Sequence, residues 1–447
     1  MLQYPGLEKA FELSLKVNDK LLTAAGVKFI DDHIWLRSGN FKPIHGWLIC
    51  LSVRTASLQA LLHDLLPILK DGDTPFRIIR NEHEAYRMNA GLYGPHLIGK
   101  GIQFHALTED KGQHLINRLL PLTRTYTGCV IQDCIRISNI IYAQEISNSK
   151  PELTKGTFPF TVEKKYRKPA SRKLVGLFYL PVEELSYSPK GTIYKGFNFK
   201  RPFKWCLIKQ GNSHTADDHF GRDIRDKLRW QKKVIKALEP HIRTPKFIDL
   251  AEYEAFSFLV LEYIDGIHAG HWLEQIRQGK TWKGLRTVTK KIILEVYLSI
   301  LVLVKDMHDA GYVHRDINER NFIIDGRRTT YIIDFEMACC LHDGLPDPPF
   351  TLGTIGYMSP EQMNYMKPHF GDDVYSLGAL LAYFLTGELP DRIFFGEMYT
   401  VRGKLQEYAV ESRLSDLIIK MTDNNHLKRA TMNMAITQMK DLITFYS

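Results

Sequence analysis

A chain of 447 residues, 44% of them apolar and 24% charged, is too long for one hydrophobic core and too well mixed for a disordered or collagen-like chain. Its net charge of +9 is spread along the sequence rather than gathered with aromatics, so nucleic acid is not an expected partner. The six cysteines (50, 129, 134, 206, 339 and 340) include no CxxC pair. The first residues carry no basic stretch followed by an apolar core, and the longest apolar run, 292–304, is too short to span a bilayer. A cytoplasmic, reduced protein with no membrane partner is the expectation.

In chain order, Leu7, Phe11, Leu13, Val17 and Leu21 recur at helical spacing. Trp47 to Val53 reads as a buried strand, and Leu58 to Leu66 as an amphipathic helix stopped by Pro67. Phe76 to Ile79 and Ile102 to His105 read as strands, with turns at Asn89-Ala90-Gly91 and Tyr93-Gly94-Pro95. Residues 147–173, rich in Ser, Pro and Lys, read as a linker. Strands follow at Leu174 to Leu180, Thr192 to Phe199 and Trp205 to Lys209, then long helical patterns. The expected fold class is α+β: an α/β domain over 1–146, the linker, a small sheet lobe with its hinge over 174–266 and a helical lobe over 267–447.

The strongest motif is His314-Arg315-Asp316-Ile317-Asn318-Glu319-Arg320-Asn321, with Asp334-Phe335-Glu336 following a hydrophobic strand. Phosphoryl transfer needs a carboxylate to orient a hydroxyl, and an amide and a second carboxylate to hold metal ions on the phosphates. HRDxxxxN with the later Asp supplies those groups in order. Gly353 to Glu361 resembles the end of a protein-kinase activation segment. Asp373 in Asp373-Val374-Tyr375-Ser376 resembles the residue that braces the catalytic loop, and Arg429 stands where such kinases pair an Arg with Glu361. An aminoglycoside-type kinase would share the Asp and Asn but lack that segment.

The resemblance to protein kinases implies ATP and Mg2+ as cofactors. It assigns catalysis to Asp316 and Lys209, nucleotide binding to Gly191, Lys209, Glu262, Ile264, Asn321 and Asp334, and metal binding to Asn321 and Asp334. Gly191 to Gly196 matches the end of a glycine-rich loop, although Ser186 and Ser188 hold the earlier glycine positions. Cys206-Leu207-Ile208-Lys209 ends in the lysine that clamps phosphates, and Leu259 to Gly266 reads as strand and hinge. Three departures stand out. Gln231 occupies the position of the Glu that partners this lysine, Asn318 that of a Lys, and Glu336 that of the Gly in DFG.

The stretches His45 to Val53, Pro75 to Ile79, Asn89 to Tyr93 and Ile98 to Ile102, together with Gly221 to Gln231, resemble class III lanthipeptide synthetases. In that family a phosphothreonine-lyase-like domain precedes a kinase, and the two dehydrate Ser and Thr of a ribosomal precursor peptide. Leu48 and Cys50 stand where the family has its Lys-x-His pair, base and acid for eliminating phosphate. Arg77 replaces a Lys and Ala143 an Arg, while Lys100 and Arg136 remain as phosphate contacts. The resemblance therefore implies a Ser/Thr peptide kinase with an inactive lyase domain used for docking. Its substrate would be a precursor peptide or protein, with a separate lyase or cyclase as a further partner. No Cys/Cys/His set remains for the family's zinc-dependent cyclase. Three alternatives stay open: a bifunctional dehydratase, a bacterial Ser/Thr protein kinase and a pseudokinase binding module.

Overall fold

The computed structural model describes residues 17–146, 158–164, 174–201, 204–218, 220–253, 255–350, 353–394 and 401–446. They fall into two compact units. One comprises residues up to 228 with 250–260, and the other 229–249 with those from 261 onward. The strands expected for the small lobe thus cluster with the N-terminal sheet.

The first unit opens with helix α1 (Val17–Ala24); the helical periodicity at Leu7 to Leu13 lies outside the described residues. Seven strands form one sheet: β1 (Ile30–Asp32), β2 (Trp35–Ser38), β3 (Gly46–Leu51), β4 (Phe76–Ile79), β5 (Ile102–Ala106), β6 (Ile135–Arg136) and β7 (Ile141–Ile146), in the order β1-β2-β4-β5-β3-β7-β6. Alternation along β3 splits its side chains between two faces. Trp47, Ile49 and Leu51 join the main core with α2 (Leu58–Asp71), whose Leu58, Leu61, Leu62, Leu65 and Leu69 repeat every three or four residues. Leu48 and Cys50 face the other way, into a small cluster with Phe41, Ile131 and Tyr142.

Pro67 does not stop α2. A proline forfeits one intrahelical hydrogen bond, but Ile68 and Leu69 beyond it are buried and hold the next turn in place until Gly72, at φ +69°, ends the helix. Two further helices are fixed by their caps. Asn81 accepts from the Glu84 amide ahead of α3 (Glu82–Asn89), and Thr108 from that of Lys111 ahead of α4 (Glu109–Thr123).

The expected linker is not all spacer. Phe160 is buried in the main core, 4.8 Å from the Trp47 ring and edge-on to it, with Phe158 at 5.7 Å. The next strands are β8 (Tyr179–Ser188), β9 (Gly191–Asn198) and β10 (Trp205–Asn212), in a sheet ordered β11-β12-β10-β9-β8 with β11 (Phe247–Glu252) and β12 (Phe256–Glu262). The strand expected at Leu174 starts five residues later, at Tyr179, and Val175 ahead of it makes an isolated bridge to Tyr179 itself.

Within this unit the two sheets are pinned together. Asp217, fully buried, accepts from the Thr55 amide at 3.0 Å and the Thr55 hydroxyl at 3.1 Å. Arg54 donates at 2.5 Å to the Gly221 carbonyl, Tyr187 donates at 2.7 Å to Gln132, and a Cβ on Gly91 would strike the Pro189 ring. Burial pushes the Asp217 carboxyl up, and Thr55 only partly offsets this. A folded value above the unfolded one contributes stability in acid and loses it as pH rises through the folded value. Asp217→Ala is expected to cost about 1–3 kcal/mol, the price of a buried Thr55 amide left without an acceptor. Asp217→Asn keeps an acceptor for that amide and can donate to the hydroxyl, so it should unfold near the parent temperature at pH 7 and vary less between pH 4 and 7. Thermal unfolding of both variants across that range measures this; an unshifted Ala variant would contradict the role given to the pin.

Helix α5 (Ile224–Leu238) continues from the first unit into the second. The second unit then has β13 (Gly266–His268), α6 (Ala269–Arg277), the 23-residue α7 (Thr287–Asp309), β14 (Tyr312–Val313), β15 (Phe322–Asp325), β16 (Thr330–Ile332) and β17 (Cys339–Cys340). After them come α8 (Pro360–Met363), α9 (Phe370–Thr386), α10 (Pro390–Phe394), α11 (Val401–Glu407), α12 (Ser412–Met421) and α13 (Met432–Thr444). Helix α9 is apolar around most of its circumference and forms the centre of this unit, buried from Asp372 to Thr386. Its last carbonyls, on Phe384 and Thr386, accept from the buried Arg277 guanidinium at 3.1 and 3.0 Å, a cation at the negative end of the helix dipole. Among the described residues no helix is long and apolar enough to cross a membrane.

Candidate active site

The loop between β14 and β15 is fixed from beneath by Asp373. This fully buried carboxylate accepts from the amides of His314 and Arg315, each at 2.8 Å, and meets His308 Nε2 at 2.8 Å. Burial alone would raise its pKa. The His308 contact, with the His314 ring and amide behind it, overcomes that and holds it below the usual carboxylate range. Arg315 takes φ +64°, a strained value for a side-chain-bearing residue, and is locked there by a 2.8 Å bond to the Phe350 carbonyl and by Gln362, which donates to its own carbonyl at 2.7 Å.

This frame presents Asp316. Its Oδ1 accepts from the Thr354 hydroxyl at 2.8 Å and the Thr354 amide at 3.0 Å, and its Oδ2 from Asn321 Nδ2 at 3.1 Å. Asn318, standing where a lysine was expected, donates to Asp316 Oδ1 at 3.3 Å and to the Thr354 hydroxyl at 3.0 Å. A neutral amide thus ties Asp316 to Thr354 at this position, without a lysine's charge. Thr354 was not singled out in the sequence; its place in Gly353-Thr354-Ile355-Gly356 was the available signal.

The metal-binding candidates lie alongside. The amide of Ile333, next to Asp334, donates to the Asn321 carbonyl at 2.9 Å, which ties the two backbone segments together. With Asn321 Nδ2 committed to Asp316, the amide oxygen is the atom left for a cation. Asp334 sits at φ +64°. A carboxylate with an amide oxygen is a hard donor set that suits Mg2+, which keeps most of its waters. The expected Glu361–Arg429 pair is present and buried, at 3.0 and 3.2 Å. Truncating either partner leaves a buried charge exposed to about 3–5 kcal/mol of penalty.

Gln231, fully buried on α5, departs from the expected pairing. Its Nε2 donates to Asp334 Oδ1 at 2.7 Å, and its buried Oε1 has no partner among the described residues. A neutral amide can donate to the metal-binding carboxylate; a glutamate could not. Gln231→Glu sets two carboxylates against each other, which should destabilise the metal-free protein by about 1–3 kcal/mol and enlarge the stabilisation given by Mg2+ with nucleotide. Thermal shifts with and without Mg2+ check this, and an unchanged metal-free midpoint would refute it.

The remaining candidates divide between the units. Lys209 lies on β10, buried and opposite Ile193 of β9. Gly191 starts β9 at φ +152°, where a Cβ would lie 2.0 Å from the Gln210 carbonyl, so only glycine fits. Ser186 and Ser188, in the missing glycine positions, belong to β8 rather than to a loop, and Ser188 donates to the Gly191 carbonyl at 3.1 Å. In the second unit Glu262 ends β12, its amide donating to the Lys246 carbonyl at 2.9 Å, and Ile264 follows in irregular chain.

The protein kinase domain family matches residues 190–439. Serine/threonine-protein kinase B of Synechocystis sp. is 26% identical over 231 residues, covering 49% of this chain and 38% of that protein. The probable serine/threonine-protein kinase pknA2 of Bifidobacterium longum is 32% identical over 214 residues, covering 47% and 27%. Serine/threonine-protein kinase Nek2 of Homo sapiens is 30% identical over 176 residues, covering 37% and 38%. The chain thus spans between about a quarter and two fifths of the length of these relatives. Members of the matched family use ATP with Mg2+. Since the match takes in more than half of the 447 residues and runs through the braced loop from His314 to Asn321, the chain belongs to the protein kinase domain family.

Proposed function

We infer that this protein transfers the γ-phosphoryl group of ATP to a Ser or Thr hydroxyl of a peptide or protein. The observation that carries the reading is Asp316, a carboxylate held by four donors from Thr354, Asn318 and Asn321 above a loop braced by Asp373. Asp316 orients the acceptor hydroxyl and takes its proton as the oxygen attacks phosphorus. Asn321 and Asp334 would hold Mg2+, whose charge would offset that of the transferring phosphoryl group. Lys209 contacts the phosphates; Glu262 and Ile264 offer backbone groups to adenine. These roles argue against a binding module that has lost catalysis.

The N-terminal domain we read as lyase-like in fold and inert in elimination. Leu48 and Cys50 are packed in an apolar cluster with Phe41, Ile131 and Tyr142, and a leucine is neither acid nor base. The candidate phosphate contacts support a docking role unequally. Lys100, buried, donates to Gln144 at 3.0 Å, whereas Arg136 is turned to the Ser138 and Asn139 carbonyls. Ala143 belongs to the helix-side core with Ile49, so an arginine there would point away from Cys50; the missing family arginine is not to be sought at that position. His105 is buried with Nε2 2.7 Å from the His45 carbonyl, which leaves it a structural role.

A ribosomal precursor peptide is the proposed acceptor. The names of the bacterial relatives favour a second reading, a Ser/Thr kinase acting on proteins. A neighbouring short reading frame rich in Ser, Thr and Cys, phosphorylated by the purified enzyme, supports the first; phosphorylation confined to unrelated proteins supports the second.

A further inference from the structure

The sheet face opposite the main helices brings two thiols together. Cys50 on β3 stands opposite Gln103 of β5 and Tyr142 of β7. The chain just ahead of β6 folds over this face: Ile131 is buried in the cluster that contains Cys50, and Cys134 packs against the same cluster. Cys134 Sγ lies 3.7 Å from Gln144 Oε1, and that oxygen accepts from Lys100 Nζ at 3.0 Å. A lysine only 5% exposed thus shares one neutral acceptor with a thiol. Cys50 is fully buried, whereas Cys134 is partly open to solvent.

We propose that Cys50 and Cys134 are a peroxide-responsive pair, with Cys134 the attacking thiolate, Cys50 the resolving thiol and a disulfide the product. The proposal is independent of the kinase reading. The Cys134 thiolate attacks one oxygen of a hydroperoxide, the O–O bond breaks, and Cys134 becomes a sulfenic acid as one water or alcohol leaves. Cys50 then attacks that sulfur, the S–O bond breaks and water leaves, so two thiols lose two electrons and two protons to the peroxide. The hydrogen bond with Cys50 holds Cys134 below an ordinary thiol against the cost of its partial burial, and the Lys100 charge adds to this. Burial pushes Cys50 well up and keeps it protonated, which removes it from the first step; in the second its proton leaves with the sulfenic oxygen as water. Burial raises Cys129 to about 12 and Cys206 to about 11, and raises Cys339 as well, so these thiols do not compete for the peroxide.

The test is peptide mapping. The reduced full-length chain is treated with a few equivalents of hydrogen peroxide, its remaining thiols are alkylated, and it is digested without reductant. The expected result is a linked pair of peptides carrying Cys50 and Cys134, two hydrogens lighter than the reduced pair. Lys100→Met should slow thiol loss by about tenfold, and Cys50→Ala should leave Cys134 as a sulfenic acid trapped by dimedone. Mapping of the parent protein decides the matter even if a variant folds poorly. Recovery of both cysteines fully alkylated, or of Cys134 bridged to a different cysteine, would overturn the proposal.

Discussion

Asp316→Asn is expected to lower turnover by about a hundredfold or more while nucleotide affinity stays within about threefold. The substitution keeps the volume and one acceptor oxygen, so the Thr354 amide and hydroxyl can still be met at one edge of the side chain. At the other edge an amide would face Asn321 Nδ2, donor against donor, and Asn321 must shift slightly. What is removed outright is the basic oxygen that accepts the hydroxyl proton. Because Asp373, His308 and Arg315 hold the loop without help from the Asp316 side chain, the fold and the nucleotide site should survive. Steady-state rates on a phosphorylatable peptide, alongside nucleotide titration, separate the two effects. Parent-like turnover would remove Asp316 from its assigned role.

The second large effect is expected at Asp334. Asp334→Ala should abolish the Mg2+-dependent part of nucleotide stabilisation and lower activity by about a hundredfold or more, since Mg2+ has few protein ligands here and this carboxylate is the only charged one proposed. The variant also strips Gln231 of its 2.7 Å acceptor, so the metal-free protein should lose about 1–3 kcal/mol. The two losses are read separately: the metal-free unfolding midpoint reports the Gln231 bond, and the added shift with Mg2+ and ATP reports the cation site. A full Mg2+-dependent shift in the Ala variant would point to nucleotide binding that does not use this metal site.

Strands β4 and β5 were legible because apolar alternation and flanking turn residues fix a short buried strand locally. The braced loop was legible because its chemistry needs fixed residue types at fixed spacing, and Asp373 and the Glu361–Arg429 pair fell where expected. Pro67 misled because the tertiary burial of Ile68 and Leu69 outweighs one lost backbone bond, a balance that no local rule contains. Phe158 and Phe160, inside a stretch composed like a linker, are claimed by Trp47 more than a hundred residues earlier. Gln231 was placed by its alignment with a lysine's partner, yet an amide carries donors that a glutamate lacks and so reaches a carboxylate. Side-chain direction on β7, which puts Ala143 in the helix-side core, becomes visible only once the register with β3 is known.

The central claim is a kinase whose product keeps its phosphate, and the mass of the product tests it most directly. Candidate peptide, enzyme, ATP and Mg2+ are incubated together without any partner lyase, and the peptide is weighed. The account predicts a peptide heavier by one phosphoryl group at each modified Ser or Thr, with none of that mass lost on prolonged incubation. A peptide lighter by one water at those sites would contradict it, because elimination would then proceed in a domain that offers Leu48 and Cys50 in place of a base and an acid.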